Sequence, residues 1–202
     1  MTHMGSKKLI HLDFGCGASP RNPFNAKEVF AVDIRNYKIP IKTKIIKPGQ
    51  RIPFSDNYFD SVSAYDVLEH LSRNQDGYNH FIYYMNELCR VLKPQGLALF
   101  VFPSFPNKDA FSDPTHVNYI TDETVNYFVN RSKDQSYEGI FTNYTLIKNA
   151  KLRSWNKYIY EAELLPNKEF SSLRRKISLL KRSMKRLIKP QHRIWILQKY
   201  SD

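Results

Sequence analysis

Three groups of residues have the types and spacing to do chemistry. The first is the turn Asp13-Phe14-Gly15-Cys16-Gly17-Ala18, in which two glycines separated by one residue let backbone approach a ligand closely. Asp33 follows 16 residues after Gly17, at the end of the next apolar run. A carboxylate there is placed to accept both hydroxyls of a ribose. The turn lacks the third glycine of a dinucleotide fingerprint, and no Lys-Ser/Thr follows as in a phosphate-binding loop. The second group is Asp66, Glu69 and His70 in the order DxxEH, and the third is His116 within the loop SDPTHVNY, Ser112 to Tyr119. Histidine titrates near neutrality, so His70 or His116 suits the role of a general base or of a group that positions an acceptor. Taken together, Asp66, Glu69, His70 and His116 offer oxygen and imidazole donors to a divalent cation such as Mg²⁺ or Mn²⁺, which would acidify a bound hydroxyl. The plainer readings are that His70 caps a helix and that Asp113-Pro114 opens a turn.

These groups need elements to hold them. Lys8 to Phe14 and Val29 to Ile34 are short apolar runs that read as buried parallel strands. Lys42 to Ile46, Phe59 to Tyr65 and Leu97 to Phe102 follow as three more. Tyr78 to Leu92 places Phe81, Ile82, Met85, Leu88, Cys89 and Leu92 on one helical face. Strand and helix in alternation predict a Rossmann-like, doubly wound α/β sheet with helices on both faces. Tyr144 to Ile147, Lys157 to Ala162 and Ile194 to Lys199 are candidate strands that would complete it antiparallel. The expectation is one domain over residues 1–202, with ligands at the carboxyl ends of the strands where their order reverses.

The turn LDFGCGA, with Asp33 closing the next strand, resembles the first two motifs of class I S-adenosylmethionine-dependent methyltransferases. IPFSDNYFD (Ile52 to Asp60), SAYDVLEHL (Ser63 to Leu71) and ELCRVLKPQG (Glu87 to Gly96) resemble the later motifs, in order and at ordinary distances. The resemblance implies S-adenosylmethionine as cofactor. Gly15 and Gly17 would make room for its methionine part, Cys16 and Ala18 of the same turn would be further cofactor-binding residues, Asp13 would face its amino group and Asp33 would hold its ribose. Ile34 and Ile52 would sandwich the adenine, and Tyr65 would be a further cofactor-binding residue. Two departures stand out: Ser19 or Pro20 occupies a position where the family usually has glycine, and Pro48 one where it usually has an acid. The DxxEH and distant histidine resemble metal-dependent methyltransferases that modify the terminal 2′ hydroxyl of small RNAs. They share part of the pattern with quinone-pathway O-methyltransferases.

Composition narrows the field further. Of 202 residues 42 % are apolar, and the two cysteines, Cys16 and Cys89, cannot build a disulfide framework. The longest uncharged apolar run, Gly96 to Phe102, falls far short of the ~20 residues that span a bilayer, and the first residues lack a secretory signal's apolar middle. The expected compartment is the cytoplasm, with a peripheral place at the inner membrane surface as an option. The formal net charge is +12, and Lys168 to Lys189 holds nine Lys and Arg against one Glu. Within it, apolar residues at 170, 173, 177, 180, 184 and 187 predict a basic amphipathic helix. Its stripe suits packing on the domain, and its charge suits an anionic partner, nucleic acid or membrane surface. The functional expectation is O-methylation of a hydroxyl on a sugar or other small molecule, a glycan building block being the favoured acceptor. The alternatives are an RNA 2′-O-methyltransferase and a catalytically silent cofactor-binding or membrane-surface module.

Overall fold

The computed structural model describes residues 9–73, 79–129, 139–152 and 192–200. Seven strands form one sheet: β1 (Ile10–Phe14), β2 (Glu28–Asp33), β3 (Lys42–Ile45), β4 (Phe59–Tyr65), β5 (Leu92–Pro103), β6 (Tyr144–Leu152) and β7 (His192–Lys199). Their order is β3-β2-β1-β4-β5-β7-β6. The first five run parallel, and β7 pairs antiparallel with both β5 and β6. The chain leaves β1 in one direction and returns to β4 on its other side. Order reverses there, which opens a crevice beyond the carboxyl ends of β1 and β4.

Alternation along the strands splits the interior into two layers. Leu12, Phe14, Val62, Ala64, Phe100, Phe102, Trp195 and Leu197 face one side, where Phe81, Tyr84, Met85 and Leu88 of the helix α1 (His80–Val91) meet them. Asn79 caps this helix, its side chain accepting the N–H groups of Phe81 and Ile82. At the other end, Lys199 of β7 donates from Nζ to the carbonyls of Cys89 and Leu92, each at 2.8 Å. A cation on the last carbonyls satisfies both hydrogen bonding and the helix dipole. The second layer holds Tyr65, Leu99, Val101, Ile194 and Ile196, with Phe24 packed over them. None of the described helices contributes a residue to that cluster.

Three boundaries differ from the sequence reading. The strand expected over Leu97 to Phe102 begins at Leu92, with Lys93 to Gly96 an irregularity within β5, because β4 pairs Phe59 with Leu92 and then Ser61 with Leu97. Residues 15–27 form no helix. The β6 strand runs on to Leu152, whereas the candidate strand Lys157 to Ala162 and the basic helix 168–189 lie outside the described residues. No described helix is long and apolar enough to cross a membrane.

Candidate functional site

The crevice is lined first by the turn after β1. Gly15 has φ +69°, and a Cβ added to it would lie 2.5 Å from Val67 Cγ2, so this position admits glycine alone. Gly17 has φ +56° and nothing within 4 Å of an added Cβ. The open space lies beside Gly17. Asp33 ends β2 nearly buried, its carboxylate accepting the backbone N–H groups of Gly17 at 2.9 Å and Arg35 at 3.0 Å. Asp13 accepts from the backbone N–H of Arg21 at 2.7 Å and from the Ser63 hydroxyl at 2.6 Å. The two carboxylates therefore tie both ends of the turn. Cys16 is buried between them, its thiol pushed up to about 12 by burial first and then by Asp33 and Asp13. It is inert as a nucleophile.

The remaining expected cofactor contacts divide. Ala18 is exposed and Ile34 is 57 % exposed, both free to meet a ligand, whereas Ile52 is fully buried in the core. Its backbone explains why. Arg90 donates to the carbonyls of Ile52 and Phe54 and pairs with both oxygens of Glu87, while Glu87 accepts the Ile52 N–H at 2.9 Å. The motifs beginning at Ile52 and Glu87 thus meet as a loop and its clamp, and the clamp holds Ile52 in the core. Tyr65 is also buried, with the Arg21 guanidinium 5.1 Å above its ring.

Beyond β4, the short 3-10 helix Leu68–His70 and the loop 113–118 assemble the second group. The loop is fastened by the N–H groups of Val117 and Asn118, which donate to the Glu69 carbonyl, and by the Asn118 amide, which donates to the carbonyls of Leu68 and Leu71. This brings ligand atoms of Glu69, His70 and His116 within 4.8 Å of one another. Glu69 is 1 % exposed, and neither of its carboxylate oxygens has a hydrogen-bond partner among the described residues. Burial raises its pKa to about 7. Burial, and then the neighbouring His116, hold His70 below its ordinary value. The His70 and His116 rings are 4.6 Å apart. Thr115 links His70 to Asp113, its hydroxyl lying 3.0 Å from His70 Nδ1 and donating to Asp113 at 2.7 Å.

Asp66 does not join this cluster, which corrects the four-residue reading. With φ at 51° its backbone turns out of the strand, and its Oδ1 lies 3.0 Å from Nε2 of His192 at the start of β7. Sequence reasoning also missed Ser61, Ser63 and His11, which surround Asp13, and Glu87 with Arg90. An aromatic rim on the same loop, Phe111 stacked on Tyr119 with centroids 5.0 Å apart and Phe105 beside them, went unmarked as well.

A mostly parallel sheet reversing between β1 and β4, with a glycine turn after the first strand and a carboxylate ending the second, matches the Rossmann-like fold of methyltransferases. Residues 12–100 match the family described as "Methyltransferase domain", and together with the fold this match supports an S-adenosylmethionine-dependent methyltransferase. A search of curated proteins found no match. Among solved structures, the chain is similar to an S-adenosylmethionine-dependent methyltransferase from Archaeoglobus fulgidus at 16 % identity and a TM-score of 0.56, covering 96 % of this chain and 87 % of that one. It is similar to the N-methyltransferase NodS from Bradyrhizobium japonicum, solved with S-adenosyl-L-homocysteine, at 12 % identity and a TM-score of 0.55, covering 96 % and 79 %. The [4+2]-cyclase SpnF shares the fold at 15 % identity and a TM-score of 0.58, covering 96 % and 75 %. Likeness at this identity carries the fold, and the acceptor has to be argued from the site. The cofactor fits on two observations: the space beside Gly17, and an Asp33 carboxylate whose oxygens each have a lone pair beyond the one backbone N–H given above.

Proposed function

We propose that this methyltransferase acts on a hydroxyl of a sugar or other small polar acceptor, and that Glu69, His70 and His116 take the acceptor's proton. S-adenosylmethionine, when bound, supplies a sulfonium methyl for in-line displacement. The chain must then align a nucleophile, exclude water and remove a proton, and an amine acceptor would need less of the last. In this reading Asp33 holds the ribose, the space beside Gly17 receives the methionine part, Asp13 meets its amino group and Ile34 covers one face of the adenine. The observation that carries the acceptor side is the buried Glu69 carboxylate without a hydrogen-bond partner among the described residues, within 4.8 Å of two imidazoles just past β4. Buried carboxylates are otherwise satisfied, and one poised near neutrality is a proton acceptor in waiting.

The same three residues fit a divalent cation. One carboxylate with two imidazoles is a mixed oxygen and nitrogen set, which suits Mn²⁺ better than Mg²⁺. The ion would relieve the Glu69 oxygens and acidify a hydroxyl bound beside it. Calorimetric titration with S-adenosylhomocysteine, with and without Mn²⁺, tests both halves on the wild type, Asp33→Ala and Glu69→Gln. Asp33→Ala should abolish micromolar binding, and Glu69→Gln should abolish any Mn²⁺ binding while leaving the homocysteine ligand. Transfer of labelled methyl to simple glycosides, giving a base-stable ether, tests the acceptor. Labelling of amines alone would overturn the hydroxyl reading.

A further inference from the structure

The parallel register of β1 and β4 sets His11 opposite Ser61 and Asp13 opposite Ser63. Four polar side chains therefore meet inside the sheet, none more than 4 % exposed. The Ser61 hydroxyl lies 2.8 Å from His11 Nδ1, and the Ser63 hydroxyl lies 3.0 Å from His11 Nε2. Ser63 also donates to Asp13 Oδ1 at 2.6 Å. Phe24 covers the imidazole, with ring centroids 5.9 Å apart.

The proton positions follow. Because Ser63 gives its single proton to the carboxylate, it offers only lone pairs to His11. In the tautomer with the ring proton on Nε2, His11 donates to Ser63 and Nδ1 accepts from Ser61. All three bonds point one way, towards Asp13, and chains of this kind polarise their members cooperatively. Strands buried on both faces are ordinarily apolar throughout, as the alternate residues Leu12, Val62 and Ala64 are here. Burying two hydroxyls and an imidazole instead carries a desolvation cost, and the chain ends on the one carboxylate that also holds Arg21 at the far side of the glycine turn.

We propose that Ser61, His11 and Ser63 are positioning residues that fix Asp13 from behind the sheet and thereby set affinity for the amino-acid half of the cofactor. The proposal rests on the reading of Asp13 as the group that meets the cofactor's amino nitrogen. Loss of Ser63 would let the Asp13 carboxylate rotate, weakening ligands that carry the amino acid and sparing those that do not. A residue needed only for packing would weaken both alike.

The test compares S-adenosylhomocysteine with 5′-methylthioadenosine, which lacks the amino-acid half, by calorimetry. Ser63→Ala should bind the former about tenfold more weakly, the size of one charge-assisted hydrogen bond, and the latter within about twofold of wild type by the same yardstick. Ser63→Thr, which keeps the hydroxyl, should restore the difference. His11→Asn removes the Nε2 donor and provides the same comparison if Ser63→Ala fails to fold. Equal weakening of both ligands, or of neither, overturns the relay alone. Wild-type protein that binds neither ligand removes the cofactor reading and the relay with it.

Discussion

Gly15 and Gly17 are two residues apart, both with positive φ, yet substitution should separate stability at one from binding at the other. At Gly15 an alanine meets two penalties. The left-handed backbone costs about 1 kcal/mol, and a Cβ at 2.5 Å from Val67 Cγ2 and 2.8 Å from Val67 Cβ forces a local shift of the overpacking kind, about 2 kcal/mol. The sum is about 3 kcal/mol, or roughly 6–12 °C in Tm for a chain of this size. At Gly17 the added Cβ meets nothing within 4 Å, so only the backbone penalty of about 1 kcal/mol remains. That methyl, however, enters the space assigned to the cofactor. Urea denaturation and titration with S-adenosylhomocysteine on Gly15→Ala and Gly17→Ala give the comparison. Gly15→Ala should lose more stability, and Gly17→Ala should keep most of its stability while losing at least tenfold in affinity. Val67→Ala removes the two methyl contacts, so in a double-mutant cycle it should recover about 1 kcal/mol of the Gly15→Ala loss. Additive effects, or a Gly15→Ala protein as stable as the wild type, would refute the contact between the two loops.

Three further outcomes are expected. Lys199→Met leaves the carbonyls of Cys89 and Leu92 without their cation and should cost about 2 kcal/mol, read as a lower urea midpoint; a change below about 0.5 kcal/mol, the ordinary scatter of surface substitutions, would refute the capping role. His11 is held down to about 3 from 6.5 because burial disfavours its cation, so the unfolded chain binds the extra proton between those values. Stability should be fully present above about pH 6.5 and fall on acidification by up to about 1.4 kcal/mol per unit, a slope that His11→Gln should flatten in melts from pH 7 to pH 4.5. Glu69 shows the opposite sign: with its pKa raised from 4.5 to about 7, its stability is full below pH 4.5 and lost as pH rises through 7. Glu69→Gln should therefore melt higher than wild type at pH 8 in chelator, by an amount on the order of 2 kcal/mol, and an unchanged or lower melting point would contradict the buried orphan carboxylate.

The parts of this molecule that were legible in sequence are those whose causes are local. Glycine spacing, the acid that closes β2, the alternation of apolar runs and the amphipathic stretch of α1 each act within a few residues, and the doubly wound sheet follows from them. What escaped depends on partners far along the chain. The bonds from His11 to Ser61 and from Ser63 to Asp13 span 50 residues each and exist only through the register of β1 with β4. Asp66 shares the DxxEH spacing with Glu69 and His70, but its positive φ turns it towards His192, 126 positions later. The clamp of Glu87 and Arg90, rather than any property of the loop itself, carries Ile52 into the core.

The antiparallel insertion of β7 between β5 and β6 has a consequence for expressing pieces of this protein. The stretch matched to the family stops at residue 100, inside β5, yet every residue from Leu97 to Pro103 is paired to β7. A fragment trimmed to the matched stretch would end in an apolar strand with an open hydrogen-bonding edge, the arrangement that invites intermolecular pairing. The matched stretch and the unit that closes this sheet therefore have different boundaries, and a minimal version must retain both Tyr144 to Leu152 and His192 to Lys199, since β7 is paired on one side to β5 and on the other to β6.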